Sequence, residues 1–453
     1  MSIAVITVSA QAPAGPAVEA WLSNEDMTHT HDFIEGLAFT EESNGAEILI
    51  PVDTDQRFQS ILGVGASFEH STGQNLAKMD AAARAELMER LVHPERGIGM
   101  NLIRLCIGTS DFTGTPWYSY NDLPYGETDP GLEQFSIARD QDYILPMIRL
   151  AQEKNPDLLF YASPWSPPGW MKDTGAMTGG RLLEEHYGVY ADYLARYVEA
   201  YRDEGIPIYA MTPQNEPGVD NPAYPSCQWT AEEQRVFVRD HLGPAFEEAG
   251  LDTKIWIFDH NFNTPGFPRT ILSDPEAAQY VDGTGWHFYV GTPEAMTKLH
   301  EEFPDKHQYF TEGSAFGTAG ALQIISFFRN WARSYNAWVI LLDEHQRPNN
   351  GPFVPTPTSV ILDSETLEVS YHFDFYMYGH FSKWTPRGSE RVYTPESERD
   401  SFGHVAFVTP DGHVTLHVAN ASGEPRSFEI AWDKRYLPAE LGPRSIVTYR
   451  WAQ

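Results

Sequence analysis

The sequence predicts an α/β fold in which a (β/α)₈ TIM barrel carries an appended antiparallel β-sandwich. From residue 58 to about residue 373, short apolar runs rich in β-branched residues alternate with longer segments whose apolar residues recur every three or four positions. The apolar runs number eight, which is the strand count of a closed barrel of this type. After residue 373 the pattern changes to short alternating segments separated by turns such as Pro410-Asp411-Gly412, which is typical of antiparallel hairpins.

Length and composition fit one large domain with a smaller companion. The chain has 453 residues, more than a single core usually supports, and 42% of them are hydrophobic. Charged residues make up 21%, so the composition excludes a disordered or coiled-coil chain. We therefore expect a folded protein with an ample core.

The first 57 residues are predicted to join the C-terminal domain. Ile48, Leu49 and Ile50 form a strand-like run that Pro51 ends, which fits an edge strand because proline cannot donate to a central ladder. A small sheet needs all its strands to cover its core. The predicted division is therefore 1–57 for strands of the sandwich, 58–373 for the barrel and 374–453 for the rest of the sandwich.

The eight predicted barrel strands are followed by helical segments. Apolar periodicity predicts helices at 81–91 and 186–204 among others. The strands are predicted at 60–65, 101–105, 158–162, 208–212, 254–258, 285–289, 308–311 and 337–342. In the sandwich, strands are predicted at 404–408, 413–418 and 445–449.

Charge excludes several kinds of partner. The chain has 31 Lys and Arg against 63 Asp and Glu, a formal net charge of −32, which repels nucleic acid and anionic membranes. No stretch approaches the ~18 apolar residues of a membrane span. The N-terminal residues lack the basic start and apolar run of a secretion signal, so we expect a cytoplasmic protein, or a secreted one if a leader was removed.

No metal or cofactor is expected. The two cysteines, Cys106 and Cys227, exclude a disulfide scaffold and a four-cysteine zinc site, although they leave a single bridge open. His29 and His31 form an H-x-H pair with no third ligand nearby in sequence. Phosphate-binding and nucleophile-elbow motifs are absent from the sequence.

Two carboxylates are predicted to face each other at the mouth of the barrel. Glu216 follows the fourth predicted strand and Glu312 the seventh, and active sites of such barrels lie at the carboxyl ends of the strands. Acetal hydrolysis needs one group that protonates the leaving oxygen and another that attacks or stabilises the anomeric carbon. The pair therefore predicts a glycoside hydrolase, with a chance pair of surface glutamates as the alternative.

Neighbouring residues favour sugar chemistry. Asn215 precedes Glu216 and can hydrogen-bond a sugar 2-hydroxyl, a contact that strengthens in the transition state. Trp165 lies in a proline-rich loop after the third strand, where its flat indole suits the C–H face of a pyranose. A structural, buried role is the alternative for this tryptophan.

Other polar residues at strand ends are predicted to support the carboxylates. Arg104 interrupts an apolar run, so it needs a buried carboxylate partner, for which Glu312 is the candidate. Asp259 follows the fifth run, and the sixth contains His287 and Tyr289. Each of these three can orient the carboxylates or simply satisfy structural hydrogen bonds.

Several segments along the chain match one known family, namely residues 97–104, 110–112, 118–120, 162–168, 214–217, 287–289, 379–383 and 445–449. On these segments the chain resembles glycoside hydrolase family 30, the family of the glucosylceramidases, over almost its whole length. The resemblance implies a retaining mechanism with Glu216 as acid/base and Glu312 as nucleophile. It also implies sugar contacts from Asn215, Trp165 and Trp338, support from Arg104 and His287, and carboxyl groups about 5 to 5.5 Å apart.

One loop departs from the glucosylceramidase pattern. An aspartate that grips the outer hydroxyls of glucose is expected after the first strand, where this chain has Glu69 and His70. Glu69 or His70 is predicted to take over that contact with a different hydrogen-bonding pattern, which leaves the identity of the sugar open.

The function predicted first is therefore a retaining β-glucosidase that resembles glucosylceramidase and acts from the chain end on a carbohydrate or glycoconjugate. An endo-β-1,6-glucanase, a xylosidase or a fucosidase of the same family is the nearest alternative. A carbohydrate-binding protein without catalysis is the alternative of another class. The oligomeric state stays open at this stage.

Overall fold

The computed structural model describes residues 15–352, 358–397 and 400–453. The first 14 residues of the segment 1–57 lie outside the described residues. Four strands precede the barrel: β1 (Ala17–Asn24), β2 (Thr30–Ala38), β3 (Ile48–Pro51) and β4 (Asp53–Ser60).

Eight parallel strands close into the predicted barrel. β6 to β11 pair in chain order, β12 pairs with β5, and two isolated bridges, Ser67 with Arg104 and Gln308 with Ala332, close the ring. The strands are β5 (Gly63–Ala66), β6 (Leu102–Ile107), β7 (Leu159–Pro164), β8 (Ile208–Met211), β9 (Lys254–Asn261), β10 (Val281–His287), β11 (His307–Glu312) and β12 (Ser334–Ala337).

The eighth strand lies earlier in the chain than predicted. The apolar run at 337–342 is not the barrel strand, because β12 ends at Ala337 and Val339 then takes a φ of 46°, which turns the chain out of the barrel. The rest of the run enters β13 (Leu341–Asp343), which forms a separate small sheet with β14 (Val360–Leu362) and β15 (Val369–Tyr371). The run is apolar because it is buried: Ile340 and Leu341 belong to the core of the barrel, and Val339 and Leu342 pack with Phe112.

Helices follow the barrel strands. The predictions at 81–91 and 186–204 are confirmed within one residue at each end, and the Asp80 carboxylate caps the first of these helices by accepting from two backbone N–H groups. The helices are α1 (His70–Lys78), α2 (Ala81–Val92), α3 (Ile144–Lys154), α4 (Tyr187–Asp203), α5 (Ala231–Phe237), α6 (Gly243–Glu248), α7 (Gly266–Leu272), α8 (Pro275–Ala278), α9 (Glu294–Glu302), α10 (Gly317–Arg329) and α11 (Phe373–Trp384). A π-helical turn, Val238–Leu242, joins α5 to α6, and 3₁₀ turns lie at Ala138–Gln141, Gly169–Met171 and Glu184–His186.

The remaining strands form the β-sandwich. They are β16 (Glu390–Tyr393), β17 (Phe402–Val408), β18 (His413–Asn420), β19 (Arg426–Trp432), β20 (Arg435–Leu441) and β21 (Ser445–Ala452). An antiparallel sheet in the order β2-β1-β21-β18-β17-β16-β4 packs on a smaller sheet in the order β20-β19-β3. The N-terminal strands thus lie in both sheets, and β3, with Pro51, lies at an edge.

The sandwich is fastened to the barrel through α11, which starts at the predicted boundary. His380 on this helix hydrogen-bonds the hydroxyls of Thr448 in β21 and Ser23 in β1. α10 and α11 both pack against the large sheet. Helices α10 and α11 therefore attach the barrel to the large sheet of the sandwich.

Candidate active site

A cavity of about 530 Å³ opens at the carboxyl ends of the barrel strands, where such barrels bind substrates. We call it the catalytic cavity. The predicted site residues that line it are Asn215, Glu216, Glu312, Trp165, Trp338 and Tyr289. Its volume is in the range of small-molecule sites.

Glu216 and Glu312 meet across this cavity. Glu312 is the last residue of β11, whereas Glu216 follows β8 with a φ of 48°, a left-handed conformation that costs energy and that occurs often at functional sites. The Glu216 backbone N–H donates to the carbonyl of Asp259 at 3.0 Å. An Oε atom of Glu216 lies within 4.8 Å of an Oε atom of Glu312.

Asp259 lies at the centre of a hydrogen-bond network beneath the two glutamates. It lies at a β-bulge of β9, because Gly285 pairs with Phe258 while the next residue, Trp286, pairs with His260. Its φ of 66° turns the buried side chain into the barrel. Five donors reach its two oxygens: Arg104 Nη2 at 2.8 Å, Ser163 Oγ at 2.9 Å, Thr212 Oγ1 at 2.9 Å, Thr311 Oγ1 at 2.6 Å and His287 Nε2 at 3.0 Å.

This environment keeps Asp259 ionised. Burial alone would raise its pKa, but the positive charges of Arg104 and His287, with the hydrogen bonds, hold the pKa well below its usual range. Asp259 therefore supplies a permanent negative charge at the base of the site.

Arg104 links Asp259 to residues of the catalytic cavity. Its position in an apolar run predicted a buried carboxylate partner, and the structure provides one. Its guanidinium is fully buried and donates to Glu312 Oε2, to Asn215 Oδ1 at 2.8 Å and to Asp259. The planar fork of arginine spreads its donors over separate nitrogens and so reaches acceptors that lie apart, whereas the three donors of a lysine all lie on one nitrogen. One side chain thus orients Glu312 and Asn215 together.

His287 is held in its charged form between the carboxylates. Its Nδ1 lies 3.2 Å from Glu216 Oε1, and its Nε2 contacts Asp259. Burial alone would lower the pKa of His287, but the charge of Glu312 and the contacts with Asp259 and Glu216 raise it to about 10. A second histidine, His260, lies 3.7 Å from Glu216, and burial lowers its pKa.

The charges at the site balance when one of the two glutamates carries a proton. Arg104 and His287 supply two positive charges and Asp259 one negative charge, which leaves one unbalanced positive charge for Glu216 and Glu312 to share. Burial and the charge of Glu216 raise the pKa of Glu312, while His287 and Arg104 oppose the rise. Burial acts in the same direction on Glu216, but the hydrogen bond and charge of His287 and the charge of His260 lower its pKa.

Hydrogen bonds select which glutamate is better suited to stay ionised with substrate bound. Both oxygens of Glu312 accept, one from Arg104 and the other from the Tyr289 hydroxyl at 2.9 Å. Donors that hold both oxygens stabilise a carboxylate. In the free enzyme the pKa of Glu312 is raised and that of Glu216 is lowered, which places the proton on Glu312 rather than on Glu216. The two carboxyl groups share this proton and titrate as a pair.

Aromatic rings form one wall. Trp165 and Trp338 stack with ring centroids 5.1 Å apart and planes inclined by 27°, and Arg104 lies under both rings. The Ser314 hydroxyl donates to the Trp338 carbonyl at 2.6 Å. Tyr289 is half-exposed at the opposite edge. Trp165 is buried and also lines the cavity, so it both packs in the interior and forms part of the cavity wall.

Glu69 and His70 lie beneath the wall and do not line the catalytic cavity. Both are buried at the start of α1. Glu69 Oε2 accepts from the Cys106 thiol at 2.7 Å and from Ser110 at 3.2 Å, while His70 contacts the Tyr118 hydroxyl at 2.9 Å. The contact of Glu69 or His70 with the outer hydroxyls stays a prediction, because neither side chain is part of the cavity lining.

Asp111 lines the catalytic cavity although the sequence did not single it out as a site residue. Burial together with the charge of Glu312 raises its pKa well above the usual value. Phe112 and Tyr224 also line the cavity and were not predicted. The segment 110–112, which supports the family resemblance and lies in the loop after the second predicted strand, was the available signal.

The described residues include one cluster whose donor atoms lie close enough together for a metal ion, namely Glu216, His287 and Glu312. Both ring nitrogens of His287 face carboxylate oxygens and its pKa is raised, so the imidazole holds protons and offers no lone pair to a metal. His31, one of the H-x-H pair, contacts the Tyr376 carbonyl. Cys106 and Cys227 are both buried and free, so no bridge joins them.

A second cavity, of about 860 Å³, opens on the same face and is called the outer cavity. Segments after β6 and β7 line it, together with Asn350 from the segment after β13. Its aromatic residues are Trp117, Tyr125 and Trp170. The two cavities therefore lie on one face of the barrel.

Comparison with known proteins matches the chain to two domain families. Residues 61–385 match the glycosyl hydrolase family 30 TIM-barrel domain, and residues 388–449 match the family's β-sandwich domain. Among the described residues, no helix combines the length and apolar character needed to cross a bilayer.

Relatives of this chain include enzymes with two named activities. An endo-1,6-beta-D-glucanase of Trichoderma harzianum is 28% identical over 93% of this chain and 91% of its own length. The lysosomal acid glucosylceramidase of Mus musculus is 30% identical over 91% of this chain and 85% of its own. The solved structure of an endo-beta1,6-glucanase superposes with a TM-score of 0.88 at 28% identity, covering 97% of this chain and all of the other.

Proposed function

The chain belongs to glycosyl hydrolase family 30, and from this we propose that it cleaves β-glucosidic bonds, with Glu312 as nucleophile and Glu216 as acid/base. It is a retaining glycoside hydrolase, and its substrates are carbohydrates. The observation that carries the assignment is the pair of carboxylates within 4.8 Å, of which only Glu312 is held by Arg104 and Tyr289 together. The separation is too short for the water that an inverting enzyme places between its carboxyl groups.

In the first step the Glu312 carboxylate attacks the anomeric carbon while Glu216 gives its proton to the glycosidic oxygen. The C–O bond to the leaving group breaks, an alcohol departs, and a glycosyl ester with Glu312 forms. Arg104 and Tyr289 orient the attacking carboxylate. His287 and Asp259 hold Glu216 and Arg104 in place.

In the second step Glu216 removes a proton from a water molecule, and the oxygen of that water attacks the anomeric carbon. The ester bond breaks, Glu312 regains its negative charge and Glu216 its proton. Two inversions give net retention, so the released sugar has the β configuration.

The residues in the walls of the catalytic cavity are proposed to recognise the sugar. Arg104 donates to Asn215 Oδ1, which directs the amide Nδ2 of Asn215 toward the sugar 2-hydroxyl. Trp165 and Trp338 supply apolar faces for the pyranose. Asp111 is proposed to bind the outer hydroxyls.

The primary candidate is an exo-acting β-glucosidase that resembles glucosylceramidase, because the catalytic cavity has room for little more than one glucosyl unit and its aglycone. The second candidate is an endo-β-1,6-glucanase, favoured by the outer cavity on the same face and by the named activity of several relatives. A binding protein without catalysis is set aside because the chain belongs to an enzyme family.

The test is hydrolysis of a panel of aryl β-glycosides, comprising the glucoside, xyloside, galactoside, fucoside and glucuronide, with Glu312→Ala as the control. We expect turnover of the glucoside, loss of it in the variant, and a β-configured product in NMR spectra recorded before mutarotation. An α-configured first product would contradict the double displacement. Turnover of β-1,6-glucan alone would select the second candidate.

The location of the protein, in the cytoplasm or outside the cell, stays a prediction. Fractionation of the source cells, with an aryl β-glucosidase assay on each fraction and on the culture medium, tests it. Activity found only in the medium would contradict a cytoplasmic location and support a secreted one.

A further inference from the structure

Lys172 is a buried lysine whose ammonium group joins three segments at the carboxyl ends of the barrel strands. Only 3% of its surface is exposed. Its Nζ atom donates to Ser166 Oγ at 3.0 Å, to the Met177 carbonyl at 2.8 Å and to the Ser226 carbonyl at 2.6 Å. An ammonium group has three N–H bonds, so these three acceptors use all of its donors. Lys172 takes no part in the proposed catalytic steps.

Two of the three segments carry walls of the catalytic cavity. Ser166 directly follows Trp165 in the segment after β7. Ser226 lies two residues beyond Tyr224 in the segment after β8. Trp165 and Tyr224 both line the catalytic cavity and pack in one apolar cluster. The hydrogen bonds of Lys172 to both segments therefore hold the two rings at a fixed separation.

The third segment is a short hairpin that begins at Lys172. Lys172 pairs with Leu182 in an isolated antiparallel bridge, and the Met177 carbonyl also accepts from the backbone N–H of Ser226 at 3.1 Å. The Ser226 hydroxyl accepts at 3.1 Å from the backbone N–H of Asn221, which lines the catalytic cavity. The hairpin and the segment after β8 thus form one hydrogen-bonded unit, and Lys172 attaches this unit to the segment after β7.

The positive charge of Lys172 strengthens these hydrogen bonds and makes them depend on pH. Hydrogen bonds from an ionised donor are roughly twice as strong as neutral ones. Burial lowers the pKa of Lys172 from 10.5 to about 8, while Cys227 when ionised, Asp173 and Asp220 act in the opposite direction. Cys227 is a neutral thiol in this range, because burial raises its own pKa to about 11. Loss of the lysine proton leaves two N–H bonds for three acceptors, so the connection between the segments weakens.

We propose that Lys172 is a positioning residue that sets the width of the catalytic cavity between Trp165 and the segment after β8, and thereby the affinity for the sugar. This inference rests on the proposed function and deepens it. The two catalytic glutamates are held by other residues, because Arg104 and His287 connect them to Asp259. Loss of Lys172 should therefore weaken sugar binding more than it slows the chemical step.

The first test compares Lys172→Met with the wild type on an aryl β-glucoside, with glucose as a competitive inhibitor. Methionine keeps an unbranched side chain but has no donor and no charge. We expect KM and the inhibition constant of glucose to rise about tenfold, and kcat to fall less than about threefold. Unchanged values of both constants in a folded variant, or a fall in kcat as large as the rise in KM, would overturn the inference.

Lys306→Met is the matched control. Lys306 donates to the carbonyls of Ala278 and Val281, both at 2.7 Å, and burial lowers its pKa. It directly precedes β11, so it lies at the opposite end of the barrel from the catalytic cavity. The control should lose stability but keep the KM and the glucose inhibition of the wild type. Equal changes in the two variants would show a general loss of stability and overturn the inference.

The pH dependence of glucose inhibition separates positioning from a simple packing role. The inhibition constant of Lys172→Met divided by that of the wild type should shrink as the pH rises through about 8, because the wild type then weakens its own connection. The ratio removes the titration of the two glutamates, which both proteins share. A ratio that stays constant across this pKa would overturn the inference.

Hydrogen exchange separates this inference from the proposed function. In Lys172→Met the backbone amides of Asn221 and Ser226 should exchange faster than in the wild type, while those that pair β9, β10 and β11 keep their rates. Ser166→Ala removes only one acceptor and should give a smaller increase, which keeps the test open if Lys172→Met does not fold. If the wild type cleaves no β-glucoside, the proposed function fails, and the exchange rates still test Lys172. Unchanged rates at both amides in the folded variants would overturn the inference.

Discussion

Removal of the positive charge beside Glu216 should move the pH profile of the enzyme to higher pH. His287 is charged, with its pKa raised to about 10, and its Nδ1 lies 3.2 Å from Glu216 Oε1 and 3.6 Å from Glu312 Oε1. A cation at that distance lowers the pKa of a carboxyl group. His287→Gln retains a hydrogen-bonding side chain but loses the charge, so the pKa values of both glutamates should rise.

The magnitude follows from the 3.2 Å distance. Coulomb's law gives about 5 kcal/mol at an effective dielectric constant of ~20 and about 1.3 kcal/mol in bulk water. At 1.36 kcal/mol per pH unit these limits correspond to shifts of about 4 and about 1 unit. Both limbs of the kcat/KM profile on an aryl β-glucoside should therefore move to higher pH by at least about one unit.

His260 is the matched control. It lies 3.7 Å from the same oxygen of Glu216, but burial lowers its pKa, so its positive charge is present over a narrower, more acidic pH range than that of His287. His260→Gln should therefore shift the profile less than His287→Gln does. Unmoved limbs in His287→Gln, with a native circular dichroism spectrum, or an equal shift in His260→Gln, would refute the reasoning.

Three further changes probe the surroundings of the site. Burial raises the pKa of Glu69 from 4.5 to about 7, so the free energy of unfolding should fall by up to about 3 kcal/mol as the pH rises between these two values. Glu69→Gln should abolish that fall in urea unfolding curves, and an unchanged dependence of stability on pH would contradict it. In Arg104→Lys the single ammonium nitrogen cannot reach all three acceptors of the guanidinium, so kcat on the aryl glucoside should fall about 100-fold or more with the fold retained. A fall below threefold would contradict the orienting role of Arg104. Burial raises the pKa of Asp111, which favours its neutral form, and asparagine resembles that form in shape and hydrogen bonding. Asp111→Asn should therefore cost less than about tenfold in kcat/KM and Asp111→Ala more, and equal losses would contradict a hydrogen bond to the sugar.

Much of the fold could be predicted because barrel strands are buried on both faces. Seven of the eight apolar runs share three residues or more with a barrel strand, whereas the eighth shares only Ala337, since continuous burial leaves a simple apolar signal. The eighth failed because β12 is short and contains Ser334 and Asn336, whereas the more apolar residues lie in the turn and small sheet that follow. Apolar composition reports burial, and here burial continues past the end of the strand.

The central part of the site was predictable for a similar reason. A charged residue within an apolar run, such as Arg104, needs a buried partner, and glutamates that directly follow barrel strands must face the mouth. Asp111 was not predictable by this logic because it lies in a loop, where no periodicity tells a side chain that faces the cavity from one that faces the packing. The same limit applies to Glu69 and His70, because no periodicity indicated that the start of α1 places them outside the cavity lining.

The assignment of the two glutamates is tested most directly by the configuration of the azide product. In Glu312→Ala with an activated aryl β-glucoside, azide takes the place of the missing nucleophile and attacks once, so the account predicts an α-glucosyl azide in the NMR spectrum. In Glu216→Ala the glycosyl ester still forms and azide attacks that intermediate, so a β-glucosyl azide is predicted. The reverse pair of products would exchange the roles of Glu216 and Glu312. Absence of rescue in both variants, with their folds intact, would contradict the double displacement through these residues.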